Sequence, residues 1–396
     1  MRILSGGGDT LDGDPRTQVF LAMCYLVVMV IAIVHFRWIV AVGRRNPAVF
    51  ALLALACASA LWAQMPDLVV RRAIAVAGAT LFGIVVAIRL PFGEQLKIFR
   101  WAIRIAGGLS LAVLVLAPGA AIVAGAEGGS VRGIFNHKNH LGATMALGAL
   151  VEWCCPETAR KAKVFRGLSI FVYLALLVLS NSMTSVVAFA AAVLVVYAFK
   201  LLHARCKLPL PMLFAILLVT ACVAIGIESS ATELLGRSSD LTGRTELWSF
   251  TWNMIAKSPW LGFGLSGFWM GASEESLSVQ TQLGWTPVYS HNGYLEILLS
   301  LGFVGLALFL IMMSTGIQRV LRRAHAAHSI QDFWPIAFFT FFLVHNLAEC
   351  TILVQNSLEW SLCIATVISS DAMLLSALSP ATEQRERAAL PTAEYA

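Results

Sequence analysis

Eleven stretches of roughly twenty residues, each rich in aliphatic and aromatic side chains and poor in charge, recur along this chain. They lie at 19–40, 47–65, 71–89, 101–121, 139–155, 164–181, 183–201, 208–227, 292–316, 333–352 and 358–378. Coiled as an α-helix, a run of about 20 residues matches the hydrocarbon thickness of a bilayer. Lipid offers no partner to backbone N–H and C=O groups, so a spanning segment must satisfy them internally. The alternating pattern of membrane barrel strands is absent. Charged residues make up only 13% of the 396 positions, against about 25% in soluble domains. That density cannot cover a water-soluble globule of this size. A soluble enzyme, a secreted disulfide scaffold and a disordered chain are excluded. The expectation is an all-α, polytopic integral membrane helix bundle of about 11 (10–12) transmembrane helices with one larger outer loop.

Lysine and arginine divide unevenly between alternate loops. Nineteen of the 28 fall in one set, which includes Arg44, Arg45, Arg100, Arg104, Arg166 and Arg319; the other set holds nine. The richer set is expected to face the cytoplasm. With an odd number of spans the N-terminus then lies outside, in keeping with its acidic tail (Asp9, Asp12, Asp14). That acidic tail, and the length of the run after it, argue for a membrane helix rather than a secretory signal. The predicted organisation is an outer tail at 1–18, a first bundle of about eight helices at 19–227, and a large outer loop at 228–290. About three further helices follow at 291–378, with an inner tail at 379–396. The basic residues form no stripe or arm, so nucleic acid is not an expected partner. The eight cysteines show no CxxC pair and no zinc-type spacing, which reads as free thiols.

Within the large loop, Thr242 is a candidate N-cap and Pro259 a stop. Trp248, Trp252 and Ile255 recur at i, i+4 and i+7, which predicts a short interfacial helix with its apolar face along these residues.

Polar groups on the outer side gather in four clusters beside helix ends: Arg132 to His140, Leu241 to Trp248, Tyr289 to Glu296, and His345 to Glu349. An ionised group inside a bilayer costs at least about 2.5–3.5 kcal/mol, so such groups tend to face a polar cavity. Each has a plain structural reading as well. Arg132 and Lys138 can snorkel to lipid phosphate, Arg244 can be solvated on a surface helix, and His291 can cap the ninth helix. His345 and Glu349 can form a buried pair between helices. Several motifs fail on context. Gly262-Phe-Gly264-Leu-Ser-Gly267 matches a dinucleotide fingerprint by letter, but no strand precedes it, and its glycines read as a tight turn near the membrane. His137 and His140 lack a third ligand at a recognisable spacing, so no metal is expected. Glu274-Glu275 reads as an exposed acidic turn, His325 and His328 as solvated, and there is no P-loop.

Four stretches, taken together, resemble the O-antigen ligase and polymerase superfamily of bacterial envelope polysaccharide enzymes, and within it the exopolysaccharide-polymerase branch. They are Ser59-Ala-Leu-Trp62-Ala-Gln-Met-Pro66, Arg132 through Lys138-Asn139, Gly243-Arg244 through Trp248 to Pro259-Trp-Leu-Gly262-Phe-Gly264, and His291-Asn292-Gly-Tyr294-Leu-Glu296 running into Gly302-Phe-Val-Gly305. Asn346-Leu-Ala-Glu349 is a weaker fifth. The resemblance covers most of the chain from about residue 50. It implies a metal-independent glycosyltransferase of the bacterial inner membrane, without a cofactor, acting at the periplasmic face. The donor would be a glycan linked to undecaprenyl pyrophosphate and the acceptor a hydroxyl of another glycan. Membrane lipid, a chain-length regulator and a flippase would be partners. Many relatives have about twelve helices with both ends inside, whereas eleven runs are counted here.

Elementary chemistry agrees with that implication. No nucleotide triphosphate is supplied outside the membrane, so a transferase there needs a pre-activated donor. The paired donors of arginine suit pyrophosphate oxygens. Arg132, Lys138 and Arg244 are therefore the expected pyrophosphate ligands, with Arg237 in reserve, stabilising charge on the departing phosphate. His291 is the candidate base or orienting group for the attacking hydroxyl, on the strength of an ordinary pKa near 6.5. Glu296 or Glu349 would orient it, and Asn139 and Asn292 would hold sugar or phosphate oxygens. Polymerisation of repeat units is the leading expectation, ligation of a finished glycan to a different acceptor the alternative. A lipid-linked sugar flippase or transporter is a second alternative, with Asp371 as the acid that suits it; a structural subunit without chemistry would leave the outer clusters unexplained.

Overall fold

The computed structural model describes residues 15–123, 129–203, 240–270, 273–283, 287–324 and 329–371. Helices account for nearly all of it: α1 (Pro15–Val34), α2 (Phe36–Arg45), α3 (Pro47–Ala58), α4 (Pro66–Arg89), α5 (Phe92–Leu116), the single turn α6 (Pro118–Ala121), α7 (Lys138–Cys154), α8 (Arg160–Leu179), α9 (Met183–His203), α10 (Asp240–Ile255), α11 (Glu274–Leu283), α12 (Gly293–Ala324), α13 (Trp334–His345) and α14 (Leu358–Ser369). Among the described residues there is no sheet; an isolated bridge joins Ile122 to Val131. Proline opens α3, α4 and α6 at the first helical position, where its missing N–H costs nothing. The six described cysteines are free thiols.

The chain is an all-α polytopic bundle, but the expected count of eleven spans is corrected. Six helices among the described residues are long and apolar enough to cross a membrane: Thr17–Val34, Pro66–Arg89, Phe92–Leu116, Arg160–Leu179, Met183–Leu201 and Gly293–Ala324. The pair Phe36–Arg45 and Pro47–Leu61, bent by 100°, makes up to seven. The count of eleven treated every apolar run as a span. At 17 residues α7 is short, and α13 and α14 have twelve each, below the roughly 20 a crossing needs. All three are buried almost throughout, so their apolar character reflects contact with protein rather than lipid. The run at 19–40 divides at His35 into α1 and α2. The run at 208–227, Arg237, His325, His328 and the tail at 379–396 lie outside the described residues.

One continuous apolar core links α3, α4, α7, α9, α12, α13 and α14. In it α13 packs on α9, α14 on α4, α12 on α3, and α7 against α5, α8 and α9. By contrast, α1 touches chiefly α4, and only 6% of its span is buried, so its apolar surface lies open at the edge of the bundle. A second, smaller cluster (Leu247, Met254, Phe268, Trp269, Val279, Leu298) fastens α10 and α11 to the first turns of α12. The helix expected near 242 begins two residues earlier, at Asp240. Its buried face runs through Leu247, Thr251, Met254 and Ile255 rather than Trp248 and Trp252, and Trp252 is exposed.

The longest helix is broken. Gly302 in α12 has φ 64° and ψ −165°, a region essentially restricted to glycine. The break frees backbone groups that must find partners in an apolar setting. Residues 259–264 supply them. Phe263 and Gly264 donate N–H bonds to the carbonyls of Leu299 (2.8 Å) and Ser300 (3.0 Å), while Phe303 and Val304 donate to Pro259 (2.7 Å) and Trp260 (3.3 Å). Gly262 permits the approach: a Cβ there would sit 2.5 Å from the Leu299 carbonyl oxygen. The turn expected at Gly262 to Gly267 is thus a plug for the broken helix. Ser59 Oγ accepts from Leu265 N–H at 3.0 Å, and Trp62 Nε1 donates to Leu261 O at 3.2 Å, which gives the segment after α3 its task.

Candidate functional site

Three connectors meet at one end of the bundle. The first is the turn before α7. His137 is its N-cap and accepts from Asn139 N–H through Nδ1 at 3.2 Å, leaving Lys138 and Asn139 buried at the helix start. The second is the turn before α12. Asn292 caps that helix, its Oδ1 accepting from Tyr294 N–H (3.0 Å) and Leu295 N–H (3.1 Å), while its Nδ2 donates to Leu347 O at 3.0 Å. The third is the turn after α13, where Asn346 binds Thr351 N–H and Phe342 O. Gly293 N–H is shared between the carbonyls of Asn346 (2.8 Å) and Glu349 (2.9 Å), which locks the second and third turns together.

Into this junction α10 sends Arg244. Its Nη1 donates to Ala348 O at 3.0 Å, and its Nη2 lies 3.5 Å from Glu349 Oε1. The same carboxylate oxygen accepts from Asn139 Nδ2 at 2.5 Å. Arg244, Asn139 and Glu349, from three distant stretches, therefore converge. Glu349 is buried, and burial raises its carboxyl above the ordinary range, opposed by Arg244, His345, His140 and Asn139. Beneath it, His345 Nδ1 faces Glu359 Oε2 at 3.1 Å, and Ser185 Oγ approaches its Nε2 at 3.5 Å. The expected buried pair thus joins His345 to Glu359, not to Glu349. Glu359 was not foreseen; the signal was an acid in the first turn of an apolar helix.

His291 sits beside Arg244 in the left-handed region, at φ 50°, where a non-glycine residue is strained. The backbone around it is held from several sides. Trp248 Nε1 donates to Ser290 O at 2.9 Å, Ser290 Oγ donates to Asn292 O at 2.9 Å, and Ser290 N–H donates to Glu296 Oε2 at 2.9 Å. The ring packs on Tyr289 with centroids 4.4 Å apart. Burial first, then the charge of Arg244 and the neighbouring His137, push its pKa down to about 3. The expected ordinary value near 6.5 is therefore corrected, and the imidazole is neutral throughout the physiological range.

Several expected roles shift with this geometry. Glu296 accepts from both Trp269 Nε1 (3.0 Å) and Ser290 N–H, and so holds the backbone before His291. Asn292 spends its amide on helix capping and on Leu347. Arg132 lies on the loop between α6 and α7, with Nε donating to Ala120 O at 3.2 Å, and is not drawn into the Arg244 junction. Lys138 is adjacent to it through Asn139. Asp371 is no isolated membrane acid: it takes a two-pronged contact from Arg45 (2.7 and 2.9 Å) and a third from Arg319 at 3.1 Å.

Chemically, the junction combines one guanidinium, a neutral imidazole, and a carboxylate shared between Arg244 and Asn139. The N-terminal ends of α7 and α12 both point to it. Helix N-termini and arginine favour an anion. No curated protein matches the sequence. Residues 168–310 match the family model described as O-antigen ligase, a stretch that carries Arg244, His291, Asn292, Glu296 and the Gly302 break, and over that part the chain is similar to this family.

Proposed function

We propose that this protein is a membrane glycosyltransferase that takes a glycan from undecaprenyl pyrophosphate and passes it to a hydroxyl of a second molecule at the periplasmic face of a bacterial inner membrane. The convergence of Arg244, Asn139, Glu349 and His291 at one end of the bundle carries this reading. The match to the O-antigen ligase family over 168–310 favours ligation, the transfer of a finished glycan to a different acceptor. Polymerisation of repeat units is the second reading; it uses the same bond changes and rests on the resemblance noted in the sequence.

The acceptor hydroxyl oxygen attacks the anomeric carbon of the donor. The bond from that carbon to the pyrophosphate oxygen breaks, and polyprenyl pyrophosphate leaves with the electron pair. Arg244 binds the leaving pyrophosphate; its 3.5 Å contact to Glu349 is long enough for a phosphate oxygen to replace it. Lys138 and the N-terminus of α7 add positive potential. Neutral His291 accepts a hydrogen bond from the hydroxyl and orients it. A base of such low proton affinity takes the proton late, as the glycosidic bond breaks.

The test is transfer by the purified full chain in liposomes, given lipid-linked glycan and acceptor without ATP. Arg244→Ala and His291→Ala are expected to abolish product while remaining inserted and folded, and Arg244→Lys to be poor, because a point charge does not reproduce the guanidinium fork. Normal product from both alanine variants would overturn the site. Glycan moved to a separate acceptor supports ligation, longer glycan on the lipid supports polymerisation, and translocation without either supports a flippase.

A further inference from the structure

A cavity of about 480 Å³ opens at the other end of α7, between the starts of α5 and α8. It is distant from the proposed transfer site. Asn139 and Glu152 are separated by thirteen residues of one helix, about 20 Å at the usual rise. Its floor is a cluster of three arginines, Arg100, Arg104 and Arg166, around two glutamates, Glu152 and Glu157. Glu152 is fully buried and receives two guanidinium groups: Arg100 through Nε (3.2 Å) and Nη2 (2.9 Å), and Arg104 through Nε (2.6 Å) and Nη2 (3.0 Å). A third guanidinium, that of Arg166, donates from Nε to the Glu152 backbone carbonyl at 2.7 Å. Glu157 adds a contact to Arg100 at 2.8 Å, and its side chain reaches solvent. Lys97 stands on the rim, 71% exposed, with Glu94 at 3.9 Å as a loose, solvated partner.

The walls fix these cations. The Arg104 guanidinium lies 5.0 Å from the Trp101 ring and 4.7 Å from the Phe165 ring, whose centroids are 6.3 Å apart, so it rests against both rings. Away from the rim the same helices turn apolar and exposed, with Trp101 and Ile105 on α5 and Phe165 and Leu168 on α8. A cationic, solvent-reaching hollow therefore continues into a hydrocarbon-facing groove between two membrane-spanning helices.

We propose that this cavity binds an anionic phospholipid, with the headgroup phosphate held by Lys97, Arg100 and Arg104 and the acyl chains along the α5–α8 groove. Free phosphate shares the headgroup chemistry but makes no use of the groove. The occupant is therefore the lipid.

Native mass spectrometry of the full chain in neutral detergent tests this, with phosphatidylglycerol, phosphatidylcholine and inorganic phosphate as probes. One phosphatidylglycerol is expected to be retained at least about tenfold more tightly than phosphatidylcholine, since each nearby lysine or arginine favours an anionic lipid. Millimolar inorganic phosphate is expected not to displace it. Lys97→Glu, an exposed position whose change does not threaten folding, is expected to weaken retention about five- to tenfold; Glu157→Gln, which unmasks Arg100, is expected to strengthen it. Arg244→Ala, at the far end, is expected to leave retention unchanged, so this result stands apart from the transfer assay. Equal retention of the two lipids, displacement by inorganic phosphate, or indifference to both Lys97→Glu and Glu157→Gln would overturn the proposal.

Discussion

At the scale of single residues, His291 is the point of tension. Its φ of 50° costs of order 1 kcal/mol for a non-glycine residue, and its burial beside Arg244 keeps it neutral. Both effects favour replacement by asparagine, which tolerates the left-handed region and does not titrate. The sign of the pH effect follows from linkage. Above a pH near 6.5 the unfolded histidine is also neutral, and His291 confers no pH dependence. Between about 6.5 and the folded value of about 3 the unfolded chain binds a proton that the folded one does not, so stability falls as pH falls. His291→Asn is therefore expected to raise the melting temperature slightly at pH 8 and by more at pH 5, with loss of transfer. A melting temperature lowered at both pH values would show that the strain and the titration are misassigned. Wild-type transfer is expected to lack a His291 titration between pH 8 and 5.

Glu349 separates charge from hydrogen bonding at the same scale. Glu349→Gln keeps an acceptor for Asn139, whereas Glu349→Ala leaves a buried amide without one, a loss of about 1–3 kcal/mol. Thermal melts in detergent are expected to rank wild type above glutamine above alanine. The sequence made Arg244, Asn139 and Glu349 visible because charge and amide stand out beside apolar helices. It could not show that Asn292 bonds backbone groups and Glu296 bonds Trp269 and the Ser290 N–H, because a structural polar group and a ligand look alike until their partners are known.

At the scale of elements, the break in α12 sets the logic of the loop before it. Gly302 places its missing Cβ against the backbone of Trp260, in a conformation essentially closed to other residues. Gly302→Ala is expected to lower the melting temperature by the equivalent of about 1–3 kcal/mol from strain alone, and to expose residues 256–267 to protease as the plug separates. Gly108→Ala on α5 is the control, since a Cβ there meets nothing within 4 Å, and its melting temperature is expected to be unchanged or higher. An unchanged Gly302→Ala would mean that the two segments are not interlocked. The glycine spacing was legible as a turn, but its partner forty residues away was not, since periodicity reports a segment's own face and not what docks on it. The same blindness counted as spans the runs that form α7, α13 and α14; six or seven candidate spans lie among the described residues. An apolar run reads alike whether lipid or protein surrounds it, and α7, α13 and α14 are surrounded by protein.

At the scale of the whole molecule, the division of basic residues by loop becomes a division in space. Arg45 and Arg319 share Asp371, Arg323 reaches Ser369 O, Gln95 meets the same serine, and Arg100 and Arg104 meet Glu152. These contacts tie the end of α2 and the start of α5 to the ends of α7, α12 and α14. Lys138 and Arg244 lie at the opposite end, and Arg132 follows the far end of α5. A dense positive end resists translocation, so the Arg100 end is expected to face the cytoplasm and the Arg244 end the exterior, where a lipid-linked donor is the available source of activation. Cysteine labelling in whole cells decides the orientation. In a background lacking the eight native cysteines, Asn136→Cys, at an exposed position before α7, is expected to react with a membrane-impermeant maleimide from outside. Glu94→Cys, exposed at the start of α5, is expected to react only after permeabilisation. The reverse pattern would place Arg244 and His291 in the cytoplasm, beside nucleotide-activated sugars, and a transferase drawing on a polyprenyl donor at the outer face would then have to be abandoned.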